Sequence, residues 1–225
     1  MRRPNPFVFI VGCPRSGTTL LRRIVDAHPQ LAITPETQWI PAYYKKRLGL
    51  TPEGLVTPEL IPRLLEHRKF FQLQLSREEL ERLITLPQPV PYASFVTGIF
   101  DLYGKIRGKS LVGDKTSGYV LKLRMLHDLW PTAKFVHLIR DGRDVCLSIL
   151  NWTKANRAAG RYATWAEDPI TTTALWWKRT VQLGCADGRL LEPDLYYELH
   201  LNATTGVSPT PMYECAYRTR SSPGP

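Results

Sequence analysis

The sequence predicts an α/β domain built on a parallel sheet, and three observations carry that expectation. Strand-sized apolar runs alternate with helical stretches of ten or more residues, the pattern of crossover units that pair strands in parallel. A glycine-containing loop joins the first strand to the first helix. The residues with chemical potential fall just after strands, where open parallel sheets bind their ligands.

The elements follow in order. Phe7–Val11 (FVFIV) is a continuous apolar run suited to a buried central strand. A helical pattern runs from Gly17 to about Ala27 and stops at His28-Pro29. Leu31–Thr34 is a short second strand. Thr34-Pro35-Glu36 reads as a helix start, with Thr as N-cap and Pro at the first helical position. A helical insert spans about 58–107. In it, "ELIPRLLEHRKFF" and "SREELERLI" are amphipathic, Pro87, Pro89 and Pro91 break the run, and a helix follows from about Ser94 to Ile106. Ser110–Gly113 is a strand leading into a helix from about Ser117 to Trp130. Lys134–Ile139 is the next strand, with a helix from about Asp141 to Asn156 behind it. Ile170–Leu183 is helical and Leu195–Leu199 is the last strand. From Asn202 to Pro225 neither period is present, so an irregular tail is expected behind a domain spanning 1–201.

Composition narrows the class. The 225 residues are 43% hydrophobic and 22% charged, which suits a buried core and excludes wholesale disorder, collagen and coiled coil. No apolar run approaches the roughly 18 to 20 residues of a membrane span. No signal peptide precedes the first strand, and the expectation is a soluble, cytoplasmic protein. Cys13, Cys146, Cys185 and Cys215 are far apart without C-x-x-C spacing, so neither a zinc site nor a disulfide framework is expected. Thirty basic residues against twenty acidic leave a net charge of +10, which implies an anionic partner. The cations are spread through helices and loops without an aromatic-interleaved stripe, so that partner is not expected to be a nucleic acid.

The loop Gly12-Cys-Pro-Arg-Ser-Gly-Thr-Thr19 has the G-x-x-x-x-G spacing of a nucleotide P-loop. Its backbone amides and the helix N-terminus behind it form a cradle for an anion. Thr18 stands in place of the lysine that would reach the β/γ-phosphates, and the cation sits inside the loop at Arg15. Such a loop suits a terminal group with less charge than a γ-phosphate. The plain alternative is a strand-to-helix turn carrying an incidental arginine.

"FIVGCPRSGTTLLRRIVDAHP" resembles the phosphosulfate loop of sulfotransferases that use 3′-phosphoadenosine 5′-phosphosulfate (PAPS). "PRSGTTLLRRIVDAHPQLAITPETQWIP" most resembles tyrosylprotein sulfotransferases and their bacterial relatives. The resemblance implies a P-loop-like three-layer fold, a central parallel sheet flanked by helices. It also implies that Arg15, Ser16, Gly17, Thr18 and Thr19 grip the 5′-phosphosulfate. The second signature is "KFVHLIRDGRDVCLSIL", in which Arg140 ends a strand and can fork onto a phosphate. By the same resemblance, Arg140 and Ser148 hold the 3′-phosphate. The alternative there is an Asp N-cap with Arg–Asp surface pairs.

Glu36 in "TPETQWIP" matches the family's catalytic glutamate, the base that takes the proton of the attacking hydroxyl. Its alternative is an acid favoured by the dipole of a helix's first turn. Lys115 in "LVGDKTSG" matches the lysine that stabilises charge developing on the bridging oxygen and the sulfonate; the alternative is a surface lysine in a loop. Tyr197 in "LYYELH" aligns with a tyrosine near the family's cofactor, or is a core strand tyrosine. His28 reads as a helix-ending cap rather than a base.

The expected function is therefore sulfuryl transfer from PAPS to a hydroxyl on a peptide tyrosine, a sugar or a small molecule. Arg15, Lys115 and the loop amides hold the transferring group, Glu36 is the base, and no metal is required. A P-loop kinase or NTPase is the alternative, as is a catalytically impaired nucleotide-binding remnant. Homodimerisation is left open. The resemblance runs from about Pro6 to Glu198. Beyond it "LHLNATTGVSPTPMYE" departs from the pattern, and the expectation is a shortened chain or a changed reading frame near Leu199.

Overall fold

β1 (Val8–Gly12) carries the unbroken apolar run, and Phe9, Ile10 and Val11 are buried on both of its faces, as a central parallel strand requires. The computed structural model describes residues 7–85, 88–202 and 206–210. β3 (Leu111–Lys115) and β4 (Lys134–Arg140) pair with β1 on either side, both in parallel. β2 (Leu31–Thr34) flanks β3 and β5 (Tyr196–Asn202) flanks β4, again in parallel. β6 (Gly206–Thr210) runs antiparallel along β5. The order is β2-β3-β1-β4-β5-β6. The chain leaves β1 for one side and returns from β3 to β4 on the other. That switch opens a crevice beyond the carboxyl ends of β1, β3 and β4.

Helices flank the sheet, as expected for a P-loop-like α/β fold. Phe9 and Phe135 stack face to face at 5.5 Å on one side, where α5 (Tyr92–Ile106) and α6 (Leu123–Leu129) complete the main core. α1 (Thr18–Asp26) starts over the other face, with Gly17 against Leu138 and Leu201. The insert supplies α2 (Ile40–Lys46), α3 (Leu60–Leu65) and α4 (Arg77–Ile84). α4 starts in a capping box between Ser76 and Glu79, which satisfies two otherwise orphaned amides. α7 (Gly142–Leu150) follows β4, and α8 (Pro169–Gly188) packs beside it, capped by Asp168. No helix among the described residues is long and apolar enough to cross a membrane.

Four expectations need correction. Thr34-Pro35-Glu36 does not start a helix: Thr34 ends β2 and spends its hydroxyl on Asp114 Oδ2 at 2.8 Å, so it caps nothing. Residues 35–39 are irregular and α2 begins at Ile40. β3 extends two residues beyond Gly113, which puts Asp114 and Lys115 in the strand. The helix expected over 141–156 ends at Leu150 and gives way to short 3₁₀ turns between 155 and 165. Finally, part of the expected tail is strand. β6 is held by ladder pairing to β5 rather than by any periodicity of its own, and its Pro209 is tolerable because β6 lies at the sheet edge. The remaining tail, residues 203–205 and 211–225 with Cys215, lies outside the described residues, as do residues 1–6, Leu86 and Pro87.

Candidate active site

The site begins where β1 ends. Gly12 has φ 153°, and a Cβ there would lie 2.4 Å from the carbonyl oxygen of Leu138, so this exit admits only glycine. The loop then turns through Arg15 (φ 75°) and Gly17 (φ 93°), the latter N-capping α1. Gly17 C=O accepts from the amides of Leu20 and Leu21, and the first amides of α1 stay free at the mouth of the crevice.

α7 is tied to this loop. Arg15 Nε donates to Ser148 Oγ at 2.9 Å, its guanidinium lies 5.3 Å from the centroid of Trp152, and Arg140 Nη1 donates to Arg15 O at 3.3 Å. Arg140 also pairs with Asp144, one turn along, at 3.2 Å. The N-cap alternative applies to Asp141, which accepts from Arg143 N and pairs with the exposed Arg143 guanidinium at 2.6 Å. Those contacts hold the Asp141 carboxyl down at about 2. Arg140 and Ser148 instead line the cleft.

Lys115 ends β3 with its side chain only 7% exposed, which removes the surface-lysine alternative. Its Nζ contacts Glu36 Oε1 at 2.9 Å and Thr19 Oγ1 at 3.3 Å, joining the loop after β2 to the first turn of α1. Glu36 lies in the irregular segment, so no helix dipole accounts for its position. Its second oxygen accepts from Gln38 Nε2 at 2.8 Å, and Gln38 Oε1 in turn accepts from Arg68 Nη2 at 2.8 Å.

A buried layer fixes that segment. Thr37 N donates to Thr116 Oγ1, Thr37 Oγ1 bonds Tyr119 OH at 2.7 Å, and Ile40 N donates to the same Tyr119 oxygen. Thr18 and Ser117 bond through their hydroxyls at 2.8 Å. Asp114 is fully buried beneath these residues. Burial pushes its carboxyl up to about 6, against the hydroxyls of Thr116, Thr34 and Thr37 and the Lys115 charge, which pull it down.

These elements enclose a cleft of about 790 Å³. Arg15, Arg68, Arg140 and Arg157 line it with Lys45, Lys69, Lys122 and Lys154, and Glu36 is its one carboxylate among the described residues. Such a cleft selects for a multiply charged anion. The pattern of the sulfotransferase family matches residues 6–202. The chain belongs to the sulfotransferase family.

Individual relatives agree. Protein-tyrosine sulfotransferase A of Caenorhabditis elegans is 31% identical over 153 residues, 66% of this chain and 34% of that protein. Human protein-tyrosine sulfotransferase 1 is 30% identical over 148 residues, 61% of this chain and 32% of the relative. This sulfotransferase-family chain thus spans about a third of the length of the curated relatives it matches. The sulfotransferase domain from the curacin biosynthetic pathway shares its fold, with a TM-score of 0.56 at 20% identity over 89% of this chain and 68% of that one. Family membership sets the kinase or NTPase alternative aside.

The structure brings together most of the candidate residues expected from sequence. Arg15, Gly17, Thr18, Thr19, Glu36, Arg140 and Ser148 line the cleft, and Lys115 reaches it from below through Glu36 and Thr19. Ser16 is buried in the loop, its hydroxyl without a partner. Tyr197 is a correction: it is 45% exposed, donates to Asp194 O at 2.8 Å and lies under Lys134, away from the cleft. It sits in the first half of β5, whereas the cleft opens at the strand's other end. Nor is it a core tyrosine; that role falls to Tyr196, which bonds buried His137 at 2.6 Å. His28 is exposed and accepts from Gln30 N beyond the end of α1. Among the described residues no cluster has the make-up of a metal site. Gln38, Arg68 and Trp152 were not legible as site residues. Gln38 shares the "PETQW" string with Glu36, which was the available signal; Arg68 comes from the insert, and only the fold brings it there.

Proposed function

We propose that this cleft transfers a sulfuryl group from PAPS to an acceptor hydroxyl, with Glu36 as the proton acceptor. The observation that carries the reading is the double contact of Lys115 Nζ with Glu36 Oε1 and Thr19 Oγ1. A base, a cation and an anion cradle thereby share one connected group. PAPS would supply the sulfuryl group and a bisphosphoadenosine leaving group. The residues fit such a donor: cations dominate the lining, and Arg15, Gly17, Thr18 and Thr19 of the loop line the cleft.

On this reading the amides of Arg15, Gly17, Thr18 and Thr19 and the Arg15 side chain hold the 5′ end, while the Ser16 amide closes the loop on Cys13 O. Arg140 and Ser148 hold the 3′-phosphate through charge-assisted hydrogen bonds. Lys115 steadies negative charge on the bridging oxygen, and fixed cations of this kind are the expected main source of rate. Glu36 takes the hydroxyl proton, which needs only a carboxylate within hydrogen-bond reach of the acceptor. With so many fixed cations, donor binding is expected to proceed without magnesium. The names of the relatives favour a protein tyrosine as acceptor over a sugar or a small molecule.

The test is incubation with sulfur-labelled PAPS and a panel of tyrosine peptides, glycans and phenols. Label on an acceptor with release of bisphosphoadenosine supports the reading. Failure to bind bisphosphoadenosine, with tight binding of magnesium–ATP instead, contradicts it.

A further inference from the structure

Gln38 stands between Glu36 and Arg68 with a hydrogen bond to each, both 2.8 Å long. The chemistry of the two neighbours decides which way its amide faces. A guanidinium can only donate, so Arg68 must take the amide oxygen. The amide nitrogen is then turned to Glu36, whose ionised carboxylate can only accept. Lys115 holds the other carboxylate oxygen at 2.9 Å, so Glu36 is gripped from both sides. The backbone supports this arrangement. Gln38 adopts φ 62°, a left-handed conformation that a residue with a side chain seldom takes, and Thr37 and Ile40 on either side are anchored to Thr116 and Tyr119. Strain of this kind persists where surrounding contacts over-determine it, and it clusters at functional sites.

We infer that Gln38 is a positioning residue for Glu36, its amide locked in the productive sense by Arg68. The inference rests on the reading of Glu36 as the proton acceptor. It also links the helical insert to the chemistry: Arg68, between α3 and the following 3₁₀ turn, sets the aim of a carboxylate on the loop after β2.

Three variants and two readouts test it. Gln38→Ala deletes the amide. Gln38→Glu keeps its length and its acceptor for Arg68 but replaces the donor with a second carboxylate. Glu36→Gln supplies the background for a double-mutant cycle. A crystal structure of Gln38→Ala should show Glu36 displaced from Lys115 or split between conformers. In sulfate transfer from labelled PAPS, with a tyrosine peptide as acceptor, Gln38→Ala and Gln38→Glu should each lower kcat by about 10- to 100-fold. Bisphosphoadenosine Kd should stay within about twofold. Placed on Glu36→Gln, neither change should cost more, because Gln38 acts only through that carboxylate.

If Glu36 keeps its 2.9 Å contact in Gln38→Ala, or if Gln38→Glu turns over like the parent, the inference is overturned. Equal losses in the parent and Glu36→Gln backgrounds also overturn it. A Glu36→Gln variant that retains turnover overturns the reading of the base instead, and the crystal structure then decides on the positioning alone.

Discussion

Arg15 Nε donates to Ser148 Oγ at 2.9 Å, so the loop after β1 and the helix after β4 meet through residues assigned to opposite ends of the donor. Arg140 reinforces the contact by donating to Arg15 O. Ser148 accepts from Arg15 through its oxygen, which leaves its O–H to donate to a phosphate of a ligand carrying both phosphates. Removing Arg140 should therefore discriminate between ligands. Arg140→Ala is expected to weaken 3′,5′-bisphosphoadenosine by about 10- to 100-fold, the worth of a hydrogen bond to a charged group, and AMP by little. Isothermal titration with both ligands checks this, and equal losses would remove Arg140 from the 3′-phosphate.

Bisphosphoadenosine should raise the Tm in the presence of EDTA. A ligand that binds only the folded state stabilises it by roughly 2.7 kcal/mol at a hundred times its Kd. The cleft supplies its own cations, so added magnesium should not enlarge the shift. A strict magnesium requirement in differential scanning fluorimetry would contradict the charge balance argued above.

Gly12→Ala tests the cradle itself. The new Cβ would meet the Leu138 carbonyl at 2.4 Å on a backbone that disfavours side chains. The variant should lose more than about 1 kcal/mol of stability in urea unfolding. It should also lose bisphosphoadenosine affinity, because the loop cannot leave β1 along the same path. An unchanged urea midpoint would mean that the exit relaxes freely.

Asp114 predicts a pH signature. Its carboxyl is raised from 3.8 to about 6 in the folded protein, first of all by burial. From about pH 4 to pH 6 the unfolded chain releases a proton that the folded state keeps, so this group's contribution falls as pH rises through that window. Asp114→Asn cannot ionise. Its stability relative to the parent should therefore rise between pH 4 and pH 7, by an amount on the order of 2 kcal/mol. A difference that stays flat with pH would show that Asp114 ionises as freely folded as unfolded.

Much of this site was legible in the sequence because its parts are local. The Gly12–Thr19 loop and the Arg140–Ser148 turn each pair a strand end with a helix start, and the alternation of elements places both at one edge of the sheet. Glu36 lies in the cleft, where the motif put it, but in an irregular segment rather than a helix, since Thr34-Pro35 mimics a helix start. What overrode it was tertiary: Asp114 on the neighbouring strand claims the Thr34 hydroxyl. Tyr197 failed because strand residues alternate faces and ends cannot be read from a motif; only the register with β4 shows that it lies far from the cleft. Gln38 and Arg68 meet across 30 positions, a proximity that no periodicity encodes. β6 was missed because an edge strand is defined by its partner.

The most direct test of the account is Glu36→Gln, measured for sulfate transfer from PAPS and for bisphosphoadenosine binding. The amide keeps the size of the side chain and an oxygen for Lys115; it loses basicity, the charge opposite Lys115 and the acceptor that Gln38 Nε2 now uses. Turnover should fall by a factor of roughly 10² to 10⁴, the usual worth of a general base, while the bisphosphoadenosine Kd stays within about twofold. Turnover within a few-fold of the parent would contradict the account and make the Glu36–Lys115 pair a structural tie between the loop after β2 and the end of β3.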